Sequence, residues 1–378
     1  MNEPTSISNA ADRTGMRFFR AVVLWFFGVS ALLALTVFVV DPFARYRAPD
    51  FFKVIYSSAN SRQMIPGVLR HFEYDAVVVG NSQAQNMSLE AVRETLGWNA
   101  VKATSPACSP RVLGQFIELA FDARGAALQN VWLSFNAASF AGLLDFGNDA
   151  VAPYLYERTH WQDYKYLLNL DVLTQRVPKS LYATFGGGGR SYALRTNPDN
   201  MFMLDFSGEK KRVYGEDRVK AAYREDLAAG ARKRGKVDTL PRLADVQTNV
   251  LHHVRAHPGA TFHIVLAPMT SLAWSEFAQH GQLEQVLEFL NAALELLLAE
   301  PNVKIYDAVS DPALACDFSF FRDAYHYSSA MDVLLLASVR DGARCLDARE
   351  LPAFLERLRH LSKPETQPAW ARDEGGEG

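Results

Sequence analysis

The sequence predicts an α/β domain with a central, mostly parallel sheet of about five strands, set behind one transmembrane helix. Three observations lead there. Short apolar runs bounded by polar residues recur at Tyr74 to Val79 (YDAVVV), Asn130 to Phe135 (NVWLSF), Thr261 to Ala267 (TFHIVLA) and Val303 to Tyr306 (VKIY), the pattern of buried strands. Helical patterns lie between them, most clearly Leu283 to Ala299, whose leucines recur at helical spacing, and strands alternating with helices imply parallel pairing. Ahead of all of these, Ala21 to Val40 reads AVVLWFFGVSALLALTVFVV without a charge.

That uncharged run spans about 30 Å as a helix, the thickness of the hydrocarbon core. A globular helix rarely runs so long without a polar face. A cleavable signal would have a shorter apolar region and a small-residue site before the charges that begin at Asp41. Arg13, Arg17 and Arg20 before the span are answered by Arg45, Arg47 and Lys53 after it, so charge alone does not set the orientation. The expected topology is that of a signal anchor: residues 1–20 a cytoplasmic tail, 21–40 the anchor in the inner membrane, and all that follows in the periplasm or outside.

The chain has 378 residues, 49% of them hydrophobic and 12% aromatic, enough to bury a full core in one large domain or two small ones. A formal charge of -3 offers no field for a phosphate backbone, so nucleic acid is not an expected partner. Three cysteines, Cys108, Cys316 and Cys345, show no metal-ligand spacing. In an exported domain a Cys316–Cys345 disulfide and three reduced thiols are both open readings.

Residues 41–70, including DPFARYRAPDFF, read as a membrane-proximal stalk. The main domain is expected over 71–345. Its first strand is followed by a helix running from a good N-cap, Ser88, to a good stop, Gly97. An insertion at about 152–235 shows no strand–helix repeat and is expected to cap the site. Its glycine run, Gly186 to Gly189, lacks the Lys-Ser/Thr of a phosphate loop, and no cofactor is implied. The basic clusters at Glu209 to Arg212 and Ala231 to Lys236 read as solvated loops, or as contacts for an anionic glycan or lipid head group. Residues 346–378 read as a C-terminal helix and a disordered tail beyond Lys363. His252, His253 and His257 read as a helix end with nearby histidines, since no carboxylate or cysteine completes a metal set there.

Two short motifs bear on chemistry. A serine hydroxyl becomes nucleophilic when a histidine accepts its proton, and it does so best on a tight turn at a strand's C-terminal end. Ser82, in Gly80-Asn81-Ser82, follows the first strand; Gly80 would permit the turn, and the Ser82 N–H would face a developing oxyanion. Many ordinary turns share that pattern. Asp323-Ala-Tyr-His326 follows the last strand, and its spacing brings carboxylate and imidazole together. A local capping pair has the same sequence.

Taken together, Gly-x-Ser after the first strand and Asp-x-x-His after the last resemble the first and fifth blocks of the SGNH/GDSL hydrolase superfamily, in that family's chain order. The resemblance covers about residues 70 to 345, the insertion excepted. It implies a flavodoxin-like sandwich, a Ser82–His326–Asp323 triad and serine acyl chemistry. It also implies oxyanion donors from an asparagine and a glycine: Asn136, which reads equally as a strand-ending turn residue, and the position offered here by Ala107 or Cys108. The first block reads Gly-Asn-Ser where the family has Gly-Asp-Ser. The words VVGNSQAQNMS and DAYHYSS look most like membrane-anchored envelope proteins related to the teichoic-acid D-alanylation protein and to exopolysaccharide acylation proteins. That likeness implies an acylated polysaccharide as substrate and a membrane-bound O-acyltransferase or exopolysaccharide synthesis complex as partner. Hydrolase, transferase and catalytically degenerate scaffold all fit these motifs.

Overall fold

A computed structural model describes residues 6–56, 60–144, 151–186, 213–228 and 238–374. They form two compact units, Met1–Ile55 with Ala152–Thr196, and Tyr56–Val151 with Asn197–Gly378. The glycine run beyond Gly186 and both basic clusters lie outside the described residues.

The second unit holds the sheet. Five strands, β1 (Ala76–Gly80), β2 (Ala100–Thr104), β3 (Asn130–Phe135), β4 (Thr261–Leu266) and β5 (Val303–Asp307), pair in the order β2-β1-β3-β4-β5, all parallel. That is the strand order of flavodoxin-like folds, in which ligands bind beyond the carboxyl ends of the strands where the winding reverses. Here the reversal lies between β1 and β3.

Four of the strands match the apolar runs, and β2 is the one the sequence hid. Its residues, AVKAT, place Lys102 among small side chains. Lys102 is wholly buried, and its ammonium donates to the carbonyls of Gln85 and Met87 at 3.4 and 3.0 Å, partners that a buried charge requires.

Side chains alternate across the sheet. One face, with Val78, Trp132, Val265 and Tyr306, shares a core with helices Leu89–Leu96, Glu216–Ala228 and Ser329–Asp341. Helices Ser61–His71, Pro110–Arg124, Thr239–Val246 and Leu283–Leu298 form the other layer and pack on one another. The helix after Ser88 is capped as its sequence foretold: the Ser88 hydroxyl accepts from Ala91 N, and Gly97 closes it with a φ of 74°.

The structure corrects two expectations and decides between two readings of the cysteines. Residues 61–70, assigned to the stalk, belong to a helix, Ser61–His71, that buries Met64, Ile65, Val68 and Leu69 against the helix Pro110–Arg124, because its apolar residues recur on one side. The tail beyond Lys363 is ordered as far as a helix at Ala369–Glu374, held by packing of Trp370 on Tyr223 at 5.6 Å between ring centroids. The three cysteines are free thiols: Cys316 donates to Thr366 O, while Cys345 sits beside β5 in a bridge to Tyr306.

In the first unit, one helix runs from Ser6 to Val40. Its stretch Gly15–Val40, which holds an 18-residue window of mean hydropathy 2.5, is long and apolar enough to cross a membrane. The chain turns at Asp41, whose carboxylate accepts from the backbone N–H groups of Arg45 and Tyr46, both at 2.8 Å, and from the Tyr166 hydroxyl at 3.0 Å. Arg45 is buried and pairs with Asp163 through two nitrogens, at 3.2 and 3.0 Å. Its remaining donors reach the carbonyls of Leu155, Glu157 and Thr159. Part of the insertion, residues 152–186, thus folds onto the segment that leaves the anchor.

Gly80 ends β1, and a Cβ there would stand 2.7 Å from Ala84 Cβ and 2.9 Å from Ser134 Cβ. Its φ is not in the left-handed region. The glycine is required by the close approach of β3 and of the turn after β1, not by a sharp dihedral. Gly80→Ala should therefore lower the stability of the full-length protein by about 1–3 kcal/mol through overpacking, measured by denaturant unfolding in detergent.

Candidate active site

Ser82 lies two residues beyond the end of β1 and is partly exposed. Its hydroxyl is 2.8 Å from Nε2 of His326. Nδ1 of the same ring lies 2.9 Å from Oδ2 and 3.0 Å from Oδ1 of Asp323. The three residues singled out in the sequence, 244 positions apart at the Ser82–His326 contact, are thus brought into one hydrogen-bonded line.

The Asp-x-x-His segment is a closed loop, not a helix. Phe321 and Tyr327 form an antiparallel bridge, with Arg322 N donating to His326 O at 3.0 Å and Ser328 N to Phe320 O at 2.8 Å. Inside it, Asp323 Oδ1 accepts from the N–H groups of Tyr325 and His326 at 2.9 and 2.8 Å. Burial works to raise the Asp323 pKa. The hydrogen bond and charge of His326, with the two backbone donors, outweigh it and bring the carboxyl down to about 2 from its ordinary 3.8. The carboxylate stays ionised throughout the neutral range and holds the ring with its Nδ1–H toward Asp323, leaving Nε2 to accept from the serine.

Gln83 is the residue that sequence reading missed. It is buried, and its side-chain nitrogen donates to Tyr325 O at 2.6 Å and to Pro268 O at 3.3 Å, while its Oε1 accepts from Asn136 Nδ2 at 2.6 Å. One carboxamide therefore joins the turns after β1, β3 and β4 to the loop that carries His326. Asn86 Nδ2 donates to Tyr327 O at 3.2 Å. Thr270 N and Oγ1 both donate to Ala324 O, at 3.0 and 3.1 Å. The Tyr325 hydroxyl donates to Glu276 at 3.0 Å. From the insertion, Gly215 N donates to Phe321 O at 2.8 Å. The signal in the sequence was the polar run Gln83-Ala-Gln-Asn86 in a place where a buried turn demands partners.

The remaining expected residues divide. Asn81 accepts from Gln83 N at 3.0 Å and donates to Ser139 Oγ at 3.3 Å; an aspartate there would accept from the Ser139 hydroxyl instead. Asn136 sits at the end of β3, where its Oδ1 caps the next turn through Ser139 N at 2.8 Å, so the turn-residue reading and a place beside the site both hold. Its Nδ2 is directed at Gln83. Cys108, one of two residues offered for the glycine position, is wholly buried. The left-handed backbone that glycine favours falls at Ala107, with a φ of 48°. Arg62 holds that turn by donating to the carbonyls of Pro106 and Ala107. Among the described residues, the backbone N–H groups of Ser82 and Ala107 have no hydrogen-bond acceptor. Two other serines nearby are engaged elsewhere: Ser109 caps the helix Pro110–Arg124, and the Ser105 hydroxyl accepts from Ser61 at 2.7 Å.

Among the histidines, His253 is buried, and that burial, with His252 and His257 nearby, lowers its pKa to about 4. His257 ends the helix and stacks on Phe121 at 3.6 Å.

No family model matches the chain, and no curated protein matches it. A solved structure from Streptococcus pneumonia, provisionally described as a platelet activating factor, is similar over 76% of this chain and 92% of its own, at 12% identity and a TM-score of 0.40.

Removing the Gln83 carboxamide would leave Asn136 Nδ2 and the carbonyls of Tyr325 and Pro268 without this partner. Gln83→Ala should cost about 1–3 kcal/mol, the penalty of unsatisfied buried groups. Thermal unfolding of the full-length protein measures it, with Asn86→Ala expected to cost less because Asn86 holds a single loop carbonyl.

Proposed function

We propose that the chain is a membrane-anchored serine O-acyltransferase or esterase of the SGNH type, its catalytic domain exported. Its substrate would be an acyl group, acetyl above all, on a cell-surface or secreted polysaccharide. The observation that carries this reading is the Ser82–His326–Asp323 line of hydrogen bonds at the carboxyl edge of a parallel sheet.

In the first half-reaction, Ser82 Oγ attacks the acyl carbonyl carbon while His326 Nε2 takes its proton. The resulting oxyanion is met by the N–H groups of Ser82 and Ala107 and by Asn136, whose Nδ2 would turn from Gln83. Collapse breaks the bond to the leaving oxygen, which receives the proton from His326, and leaves an acyl-serine. In the second half-reaction His326 deprotonates the acceptor, which attacks the acyl-serine; collapse then returns the proton to Ser82. Water as acceptor makes an esterase and a sugar hydroxyl a transferase, and the same residues serve both. A membrane-bound O-acyltransferase or exopolysaccharide synthesis complex is the partner that the family resemblance implies.

A second reading, a catalytically degenerate scaffold that binds polysaccharide or such a complex, draws support from the engagement of Asn136 Nδ2 by Gln83. Substitution separates the two. For an enzyme, His326→Ala should reduce turnover of an aryl acetate by at least about a thousandfold, Asp323→Asn by a similar or smaller factor, and the double variant should be little worse than His326→Ala alone, because the residues act as a unit. Polymer acylation that persists in cells carrying Ser82→Ala, His326→Ala and the double variant would assign the chemistry to a partner.

A further inference from the structure

The first unit exposes large apolar side chains where a protein in water would bury them. In its segment 152–186, Trp161 is 71% exposed, Leu170 74% and Phe185 66%, with Tyr164 and Leu168 also exposed. Phe51, from the segment that leaves the anchor, lies 5.9 Å from Phe185 between ring centroids and is itself exposed. Singly such residues are ordinary, but several within one short segment that packs on an apolar helix mark an interaction surface.

What covers them follows from the helix they accompany. The helices Tyr164–Leu167 and Val177–Phe185 pack directly on Ser6–Val40. On that long helix Ala34 is half-buried and Val37 and Val40 are buried, while its other faces are open. Ala34 to Val40 is a rise of about 9 Å, so elements packed there sit within about 9 Å of the end of the apolar span. Helices lying at a bilayer surface sink their apolar side about 5–10 Å below the headgroups, and Trp and Tyr are the residues enriched at that depth. The polar anchor of the fold, Arg45 with Asp163, comes just beyond, after the span has ended.

We infer that residues 152–186, with Phe51, form a lipid-interface module that seats the base of the anchor in the headgroup layer. The occupant of this apolar surface is the bilayer itself. The inference rests on the reading of Gly15–Val40 as a membrane span.

The full-length chain, with Cys316 and Cys345 changed to serine, can be labelled with the fluorophore NBD at Trp161→Cys, at Leu170→Cys or at Trp25→Cys. After reconstitution in phosphatidylcholine vesicles, quenching is compared between lipids carrying a nitroxide near the glycerol end of the acyl chain and lipids carrying it near the methyl end. Labels at 161 and 170 should lose fluorescence to the shallow nitroxide and less to the deep one, while the label at 25 should lose it to the deep one. Quenching at 25 with none at 161 and 170 would overturn the inference and give the surface to a protein partner or to water. Absence of quenching at 25 would remove the span and the module together, leaving the proposed chemistry of Ser82 untouched.

Discussion

The buried carboxamide of Gln83 ties the carboxyl edge of the sheet to the loop that bears His326. The pairing of Ser82 with His326 requires two segments from opposite ends of the domain to meet within a hydrogen bond's tolerance, and neither segment is regular structure. Each bond Gln83 makes, to Asn136, Pro268 and Tyr325, ends on a different turn. Because the residue is adjacent to Ser82, any shift of the histidine loop would be felt at the serine. Asn86, Thr270 and Gly215 add bonds to the same loop, which its own bridge and the Asp323 turn also close.

The parallel sheet explains why the site lies where it does. Reversal of winding between β1 and β3 opens a crevice at their carboxyl ends, and the residues there are Asn81, Ser82 and Asn136. Close approach of the chain at this point leaves no room for a Cβ on Gly80. The turn at Ala107, held in a left-handed conformation that costs a non-glycine residue about 1–2 kcal/mol, is secured by Arg62. Packing and polar satisfaction thus serve the same few turns.

Much of this was legible in the sequence. β-branched runs announced β1, β3, β4 and β5, and Ser88 and Gly97 marked the bounds of a helix because capping chemistry is local. Ser82 was legible because it closely follows a strand, and Asp323 and His326 because their three-residue spacing follows the last strand. What was hidden depends on contacts distant in sequence. Lys102 disguised β2, since a buried lysine makes sense only with the carbonyls of Gln85 and Met87 in place. Gly80 looked like a dihedral requirement and is a steric one, imposed by Ser134 and Ala84. Residues 61–70 read as stalk because their apolar side finds its partner only in the helix after Ser109. The packing of residues 152–186 on the base of the anchor had no sequence signal, because Arg45 and Asp163 declare themselves partners only in three dimensions.

If Ser82 is an activated nucleophile, a fluorophosphonate probe reads it directly. The full-length protein should react, with the phosphonate found by peptide mass mapping on Ser82, and Ser82→Ala should take no label while keeping its fold. Label on another residue, or equal labelling of Ser82→Ala, would contradict that role.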